Sequence, residues 1–529
     1  MHRPSVRVSG ALLLAALLLT YQRGSGQTPA PAPRLVQRSG LGAVVRDSQL
    51  IHTSRRPSTR AASPVVDRPR VLDRTGRSGA RYEAGRIFVK FRASMSEGAR
   101  RQAVQQAARS AVIAARPRNA DFDDVRVDPN EDAEAIAAAL SRRPDVEYAQ
   151  VPYRVQTYFA PNDPSYASLQ WNFQQIDLAR AWDIQAGASS SVIVAVLDTG
   201  AAFDDAIIRF RAFSFSKNGV SYPALGTIDV PFARATDLAA AGSTGDSRFA
   251  DAFDFIWDDT DPFDLDGHGT HVTGTLGQLT NNGLGVAGIA FNARLMPLKV
   301  VSGDWDDIFS SPNEGSDFTV AQGLKYAADH GAKVINMSIG RTGIAGDAPM
   351  VEDALRYAVS KGAFVAIAGG NDAPATPVEV YAEAASRIDG VVSVAAVNLN
   401  RQRASYSTTG SWIELAAPGG DIAQGTAGVV WQQTYDFDFT DTFLLPPAQY
   451  KAPRFDVLAL IGEAGTSMAT PHVSGLAALM VQQGFKSPAA IEAAMKRFAT
   501  DLGSSGRDNE FGFGEVNARA TLRGLGLAR

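Results

Sequence analysis

The sequence predicts an α/β protein with a doubly wound, mostly parallel sheet and helices on both faces, preceded by a small α+β module of the ferredoxin-like kind. Beyond residue 161, apolar segments of strand length alternate with segments of helical period that end at glycine. These strand segments are apolar along their whole length, as expected for parallel strands buried on both faces. Residues 84–158 carry a shorter series of strand and helix patterns, which predicts the separate module.

The N-terminus has the pattern of a secretory signal. Arg3 and Arg7 precede the apolar run Ala11–Leu19, and small residues follow at 24–26. Residues 1–26 are therefore predicted to be a signal peptide. The alternative is a membrane anchor, for which the run is short. Residues 27–83 are rich in Pro, Ala, Ser and Arg and are predicted to form a disordered linker.

Composition limits the chemistry. The chain has no cysteine, which excludes disulfides, thiolate metal sites and a cysteine nucleophile. Residues 1–160 carry 26 Lys and Arg against 14 Asp and Glu, whereas the remainder carries 25 against 41. A basic front part and an acidic remainder predict intramolecular attraction, and not nucleic-acid binding, unless the difference is a coincidence of composition.

The module at 84–158 is predicted from short, separate patterns. Ser94 and Glu97 form a possible capping box that opens a helix reaching about Val112. The remaining elements are the strands Arg86–Phe91, Val125–Val127 and Val146–Gln150 and a helix over Asp132–Arg142.

The larger domain, residues 161–529, is predicted from longer apolar patterns. The strands are Val192–Leu197, Leu295–Val301, Val334–Met337, Phe364–Ala368 and Val391–Val397. The helices are His268–Gly277, Phe318–His330 and Val351–Lys361. In such sheets, ligand sites lie beyond the carboxyl ends of the strands.

Three polar residues suggest nucleophilic catalysis. Ser467 stands among small residues at the start of a long apolar helix, where free N–H groups favour developing negative charge. Asp198 ends the first strand of the large domain, and His268 begins a helix. His271 lies three residues further on. A zinc pair is the alternative, but the spacing lacks the glutamate of the metalloprotease pattern. Along the chain these residues follow in the order Asp198, His268, Ser467, which is one of the known orders of a catalytic triad.

Four segments carry a resemblance to a known family. They read VAVLDTG, DGHGTHVTG and GTSMATPHVSG around the three residues, and AIAGGN at 366–371. Residues 161–520 resemble a subtilisin-like serine protease, or subtilase, closest in motif to thermitase-like secreted bacterial members. The module that ends in VEYAQVPYRV resembles the inhibitory propeptide of this family.

The resemblance implies a role for each matching residue. Ser467 would be the nucleophile, His268 its base and Asp198 the group that orients the imidazole. The Asn371 side chain and the Ser467 N–H would hold the oxyanion. The substrate would lie along Ser338, Ile339 and Gly340, and its main side chain would enter a pocket walled also by Ala368, Gly369 and Gly370. Small wall residues predict an open pocket that accepts large apolar side chains.

The resemblance also implies structural calcium and no organic cofactor. Asp163 and Asn282 match a strong calcium site of thermitase-like members, although the acid that usually follows the catalytic aspartate is displaced. Asp254, Asp259 and Asp261 match a weaker site, and the alternative is a solvated acidic loop.

Two stretches, 213–250 and 430–460, are insertions relative to the family pattern. The second is rich in aromatic residues, which either pack the insertion or line the cleft. The sequence thus predicts a secreted monomeric endopeptidase made as a zymogen. Its partners would be protein or peptide substrates and its own propeptide, with no nucleic acid and no membrane after signal removal. The alternatives are a processing protease of narrow specificity and an inactive binding protein on the same fold.

Overall fold

A computed structural model describes residues 72–77, 81–154, 159–238, 248–309, 315–374 and 377–524. The predicted signal peptide and most of the predicted linker lie outside these residues, as do residues 155–158. The described end of the predicted linker forms two short strands, Asp73–Thr75 and Arg81–Glu83, so the linker prediction is wrong for this part of the chain. The chain divides into two compact units. Residues 82–153 belong to one, called here the front module, and the residues from 154 onward belong to the other, called the protease unit.

The front module is a four-stranded antiparallel sheet with two helices. Its strands follow in the order β4-β5-β3-β6, the order of a ferredoxin-like fold. Ile87 and Val89 alternate inward from the central strand and are fully buried. The elements at this end of the chain are β1 (Asp73–Thr75), β2 (Arg81–Glu83), β3 (Arg86–Phe91), α1 (Glu97–Ala107), β4 (Val112–Ala115), β5 (Asp123–Arg126), α2 (Ala133–Ser141) and β6 (Val146–Gln150).

The first helix of the front module is shorter than the sequence predicts. Its N-cap is Ser96, whose hydroxyl accepts the Ala99 N–H, and not Ser94. It ends at Ala107, and Val112, where the predicted helix would end, is the first residue of strand β4. The β-branched pair Val112 and Ile113 favours the extended conformation, which explains the difference.

The protease unit is built on a seven-stranded sheet in the order β12-β13-β7-β14-β16-β18-β19. Every pairing in it is parallel, which confirms the predicted sheet. The sheet strands are β7 (Ile193–Asp198), β12 (Phe253–Asp254), β13 (Arg294–Lys299), β14 (Val334–Met337), β16 (Phe364–Ala368), β18 (Val391–Val397) and β19 (Leu415–Pro418). The other strands are β8 (Ala206–Ala212), β9 (Phe215–Lys217), β10 (Val220–Tyr222), β11 (Gly226–Phe232), β15 (Thr342–Gly343), β17 (Val378–Glu379), β20 (Val430–Tyr435) and β21 (Leu458–Glu463).

Helices cover both faces of this sheet. They are α3 (Tyr166–Leu169), α4 (Trp171–Gln175), α5 (Leu178–Trp182), α6 (His268–Gly277), α7 (Asp304–Ile308), α8 (Asp317–Asp329), α9 (Pro349–Ser360), α10 (Val380–Ala385), α11 (Phe437–Thr440), α12 (Thr466–Gln482), α13 (Pro488–Phe498) and α14 (Ala518–Gly524), with 3₁₀ turns at Ile422–Ala427, Thr442–Leu444 and Pro447–Gln449. None of the described helices is long and apolar enough to cross a membrane.

Strand β7 shows why its sequence is apolar throughout. Val194 and Val196 join the core that contains α6 and α12, whereas Ala195 and Leu197 join the core that contains α8 and α9. Successive side chains of a strand point to opposite faces, so both faces of β7 require apolar residues.

The two insertions form strands and share a third core. Strands β8 and β11 pair antiparallel, as do β20 and β21, so the first insertion is more than the surface loop that the sequence predicts. Tyr435, Phe443 and Tyr450 of the second insertion are buried in a cluster with Phe232 of the first. For these three aromatics, packing of the insertion is the correct alternative.

Candidate active site

Strand β7 and helix α6 bring Asp198 and His268 together. The His268 Nδ1 lies 2.6 Å from the Asp198 Oδ1, and Asp198 is fully buried. The carboxylate accepts the Nδ1 proton, so the ring is oriented and Nε2 is left as the basic nitrogen. Burial by itself lowers the pKa of His268, but the charges of Asp198, Glu463 and Asp266 outweigh burial and raise it above its usual value.

Asp264 fixes the loop that leads into α6. Its Oδ1 accepts hydrogen bonds from the Thr199 hydroxyl and the Gly267 N–H, both at 2.9 Å. Its Oδ2 accepts the N–H and hydroxyl of Thr270, at 2.9 and 2.6 Å. This buried carboxylate therefore ties the end of β7 to the first turn of α6, which sets the place of His268. The sequence analysis assigned it no such role.

Ser467 is the second residue of α12, and hydrogen bonds connect this first turn to the end of β14. The Ser467 hydroxyl donates to the Ser338 carbonyl at 3.0 Å, and the Ser338 hydroxyl donates to the Ser467 carbonyl at 2.8 Å. Asn336 donates to the Ser338 hydroxyl at 3.0 Å and accepts from Ser474 at 2.8 Å. Helix α12 also packs against α6, so the serine and histidine lie on neighbouring helices.

Asn371 follows β16 and faces the start of α12. Its Oδ1 accepts both the N–H and the hydroxyl of Thr466 at 2.9 Å. A backbone N–H requires an acceptor, so this contact fixes which end of the amide is oxygen. The Asn371 Nδ2 is thereby left as a hydrogen-bond donor. A Cβ on Gly465 would lie 3.7 Å from this nitrogen and 3.6 Å from the Ser467 nitrogen, so the glycine leaves the space next to both donors open.

The two segments predicted to bind substrate lie side by side. Ser338, Ile339 and Gly340 follow β14, while Ala368 ends β16 and Gly369 and Gly370 follow it. Strands β14 and β16 are adjacent and parallel, with Met337 opposite Ile367. Both segments therefore leave the sheet at its carboxyl edge, where Asp198 also lies.

The hairpin of β20 and β21 lies beside α6. The buried His271 Nε2 lies 3.1 Å from the Val430 carbonyl and 3.3 Å from the Ile461 carbonyl, so it donates to the hairpin. Burial lowers the pKa of His271 to about 3, which keeps this ring neutral. A zinc role for His271 therefore has no support.

Glu463, at the end of β21, is a charged group that the sequence analysis missed. Its charge helps raise the pKa of His268, and burial raises the pKa of Glu463 itself to about 8. Its Oε1 is buried and has no hydrogen-bond partner among the described residues. The sequence did contain a signal for this residue, because Glu463 is an acid four positions before Ser467 in a stretch of otherwise small and apolar residues.

Comparisons with known proteins decide the family. The subtilase family model matches residues 189–514, more than half of the chain, and the fervidolysin N-terminal prodomain model matches residues 72–151. The chain belongs to the subtilase family. It is 28% identical to the thermophilic serine proteinase of Bacillus sp. (strain AK1), over 87% of this chain and 92% of that protein. It is 30% identical to thermitase of Thermoactinomyces vulgaris, over 68% of this chain and 98% of that protein.

The fold of this subtilase is also seen in a solved structure. The crystal structure of a lanthipeptide protease is 21% identical, with a TM-score of 0.50, and matches 70% of this chain and 100% of that one. The protein is thus a thermitase-like serine endopeptidase with an N-terminal prodomain, as its sequence predicts.

At the first predicted metal site, the structure places a further acid, Asp237, beside the predicted residues. Asp163 accepts the Asn281 N–H at 2.7 Å through Oδ2, while its Oδ1 is buried and unpartnered within the described part of the chain. Asp237 accepts from the Asn282 amide at 2.7 Å and from the Val286 N–H at 3.1 Å. Burial raises the pKa of Asp237 to about 6, and the charge of Asp163 adds to this effect.

Asp237, which the sequence analysis did not consider, lies beside Asn282 at this place. It follows the strand pair β8–β11, so the first insertion separates it from Asp198 in sequence. The Asp163 Oδ1, which has no partner among the described residues, the Asp237 carboxylate and the Asn282 side chain fit an oxygen-ligated cation such as Ca²⁺.

The residues of the second predicted metal site make other contacts in the structure. Asp254 is buried, and its Oδ1 accepts the N–H groups of Ile256 and Trp257 at 2.7 and 2.9 Å. The Lys299 Nζ lies 3.8 Å from its Oδ2 and 2.7 Å from Asp306, so the two carboxylates share this positive charge. Asp259 and Asp261 are exposed. Among the described residues, no group of three or more acidic or histidine side chains could hold a metal.

Proposed function

We propose that this subtilase is a secreted endopeptidase, made as a zymogen, in which Asp198, His268 and Ser467 form the catalytic triad. The observation that carries the proposal is the 2.6 Å contact between His268 and a buried Asp198. It is supported by the place of Ser467 in the first turn of α12, which packs against α6.

The reaction begins when the Ser467 hydroxyl turns from the Ser338 carbonyl to the substrate. His268 Nε2 takes the hydroxyl proton as Ser467 Oγ bonds to the scissile carbonyl carbon. Asp198 keeps the imidazole in the required tautomer and stabilises the imidazolium. The C–N bond then breaks, and His268 gives the proton to the leaving amine. Water, activated by His268, releases the acyl group.

The oxyanion of both tetrahedral intermediates is held by hydrogen-bond donors. These are the Asn371 Nδ2, oriented through Thr466, and the Ser467 N–H at the N-terminus of α12. The substrate backbone lies along residues 338–340 as an added strand. Its P1 side chain, on the acyl side of the scissile bond, enters the space between residues 338–340 and 368–370.

The domain organisation that we propose keeps the predicted boundaries except at the linker. Residues 1–26 direct secretion, residues 27–71 are a linker, and the inhibitory propeptide begins near residue 72, where the prodomain match begins, and reaches residue 158. The catalytic part spans residues 161–529. The prodomain match at 72–151 supports the propeptide role, and the basic and apolar N-terminal pattern supports secretion. Cleavage falls between about residues 155 and 161.

Calcium binds at Asp163, Asp237 and Asn282. The cation would neutralise the two carboxylates and hold the turn at residues 280–286 against the start of the protease unit. In this structure, the Asn282 amide N–H donates a hydrogen bond to the Asp237 carboxylate. The role of the ion is structural, and no catalytic step depends on it.

The test compares the wild type with Ser467→Ala, expressed side by side. Chain length is followed on a gel and casein hydrolysis in solution. We expect the wild type to lose its propeptide and digest casein, and the variant to do neither. A variant that is shortened like the wild type would show processing by another protease.

Two further outcomes address the alternatives. A wild type that shortens itself but ignores casein would favour a processing protease of narrow specificity. A folded, calcium-loaded wild type that does neither would favour an inactive binding protein and contradict the proposal.

A further inference from the structure

A glutamate lies between the two segments proposed to wall the P1 pocket. Glu379 ends β17 and is only 3% exposed. A Cβ on Gly340 would overlap its Oε1, and a Cβ on Gly370 would lie 3.6 Å from its Cβ. The Glu379 side chain therefore occupies the space that the missing side chain of Gly340 leaves open, and it lies beside Gly370. A Cβ on Gly370 would meet the Thr408 hydroxyl first, at 2.9 Å.

Backbone contacts hold this glutamate in place. The Arg341 N–H donates to Oε1 at 2.5 Å, and β15 pairs with β17 so that Thr342 lies opposite Glu379. The Arg341 guanidinium, by contrast, makes a bidentate pair with Asp317 at 2.7 Å and lies 3.6 Å from Asp347. The side-chain charge of Arg341 is thus engaged by other carboxylates.

A second carboxylate adds to the negative charge of this pocket. Asp372 follows Asn371, and its backbone N–H donates to the Thr408 hydroxyl at 2.9 Å. Its Oδ2 is buried and, among described groups, has no hydrogen-bond partner. Burial, together with the charge of Asp372, raises the pKa of Glu379 to about 8, and the Arg341 N–H and charge oppose this shift. Two acids in so small a space are unfavourable without a cation.

We propose that Glu379, supported by Asp372, is the acidic floor of the P1 pocket and directs this protease to cleave after lysine or arginine. The inference rests on the proposed function, because it uses the pocket walls assigned there. A cationic P1 side chain would donate charge-assisted hydrogen bonds to the Glu379 carboxylate and to the Asp372 Oδ2, which has no partner among the described residues. A large apolar side chain would instead leave buried carboxylates without a partner. The small residues of the pocket walls, taken alone, had predicted a preference for large apolar P1 side chains.

The test measures kcat/KM of the processed wild type on four tetrapeptide anilides that differ only in P1. The P1 residues are Arg, Lys, Phe and Leu. We expect the basic substrates to be preferred over the apolar ones by about tenfold or more. In Glu379→Gln the ratio of basic to apolar kcat/KM should fall by about the same factor, because the carboxylate that pairs with the cation is lost.

Glu414→Gln serves as the matched control. Glu414 is another buried glutamate of raised pKa, and it pairs with Lys496 at 2.7 Å. Its neutralisation should leave the P1 ratio unchanged, even if it lowers stability.

A second measurement covers the case in which Glu379→Gln does not fold. In the wild type, the P1 ratio should fall as pH drops through the pKa of Glu379, since protonation removes the charge. Because the ratio compares substrates on one enzyme, changes at His268 cancel.

A wild type that prefers Phe or Leu, or a ratio that Glu379→Gln leaves unchanged, would overturn the inference and leave the proposed function standing. A folded wild type that cleaves none of the four substrates and no casein would overturn both.

Discussion

At the scale of single residues, His268 stands among three carboxylates and not one. Asp198 accepts its Nδ1 proton, and Glu463 and Asp266 contribute further negative charge. All three favour the imidazolium, whereas a general base must be neutral to act. Activity is therefore present above the raised pKa of His268 and lost as pH falls through it. We therefore expect activity to be greatest at alkaline pH.

Glu463→Gln tests this electrostatic environment. Removing the negative charge lowers the pKa of His268, so the acid limb of the kcat/KM profile should move to lower pH. Since His268 and Glu463 titrate together, the wild-type limb belongs to the pair. The control is Glu510→Gln, an exposed carboxylate 3.5 Å from Arg403. An acid limb that stays in place in Glu463→Gln, or moves to higher pH, would show that Glu463 does not act on His268.

The residues proposed for catalysis could be named from the sequence because each sits in a contiguous motif. Asp264, Glu463 and Glu379 could not, since each acts through contacts that only the fold creates. Glu379 lies eight positions after Asn371 in sequence, and its place against Gly340 depends on the pairing of β15 with β17. Asp237 was missed for a related reason, because the first insertion separates it from Asp198 in sequence.

At the scale of elements, sequence patterns predicted the buried strands and helices most accurately. Strands β14, β16 and β18 and helix α6 have the predicted boundaries, because an apolar segment between glycines or polar turns has little freedom of register. Strand β4 was not predicted, because the helix before it was expected to reach about Val112, the first residue of the strand. The strand pairs of the two insertions were missed because long-range packing, and not local pattern, stabilises them.

The turn at residues 280–286 is the element that calcium would stabilise. It contacts Asp163 through the Asn281 N–H and Asp237 through the Val286 N–H. Chelation should leave two buried carboxylates close together without a cation. At a calcium concentration 100 times Kd, binding stabilises the folded state by about 2.7 kcal/mol. Adding a chelator to the wild type should therefore lower Tm by several degrees.

The matched variants are Asp237→Asn and Asp229→Asn. Asp237→Asn should have a low Tm that no longer responds to calcium. Asp229 is exposed and pairs with Arg209 at 2.7 Å, so its variant should respond like the wild type. A wild-type Tm that is the same with calcium and with chelator would contradict the site. So would an Asp237→Asn variant that keeps the full response.

At the scale of the whole molecule, the basic excess at the front of the chain is not spread evenly along the sequence. Residues 27–80 carry ten basic and three acidic side chains, whereas residues 81–154 carry 13 and 11. Inside the front module, Asp123 and Asp124 pair with Arg86, Arg100 and Arg116. The module is therefore nearly neutral, and the basic excess belongs to the residues before it.

From this distribution we expect the residues before the front module to cause any salt dependence of propeptide inhibition. Two polypeptides, residues 27–160 and residues 81–160, would be added separately to the mature protease, and the inhibition constant measured from about 0.01 M to about 1 M salt. Over this range the Debye length falls from about 30 Å to about 3 Å. The longer polypeptide should inhibit several-fold more weakly in high salt, because its basic segment is attracted to the acidic protease unit. The shorter one should change little. Equal salt responses would place the attraction within the front module, and no response in either would remove electrostatics from the account of inhibition.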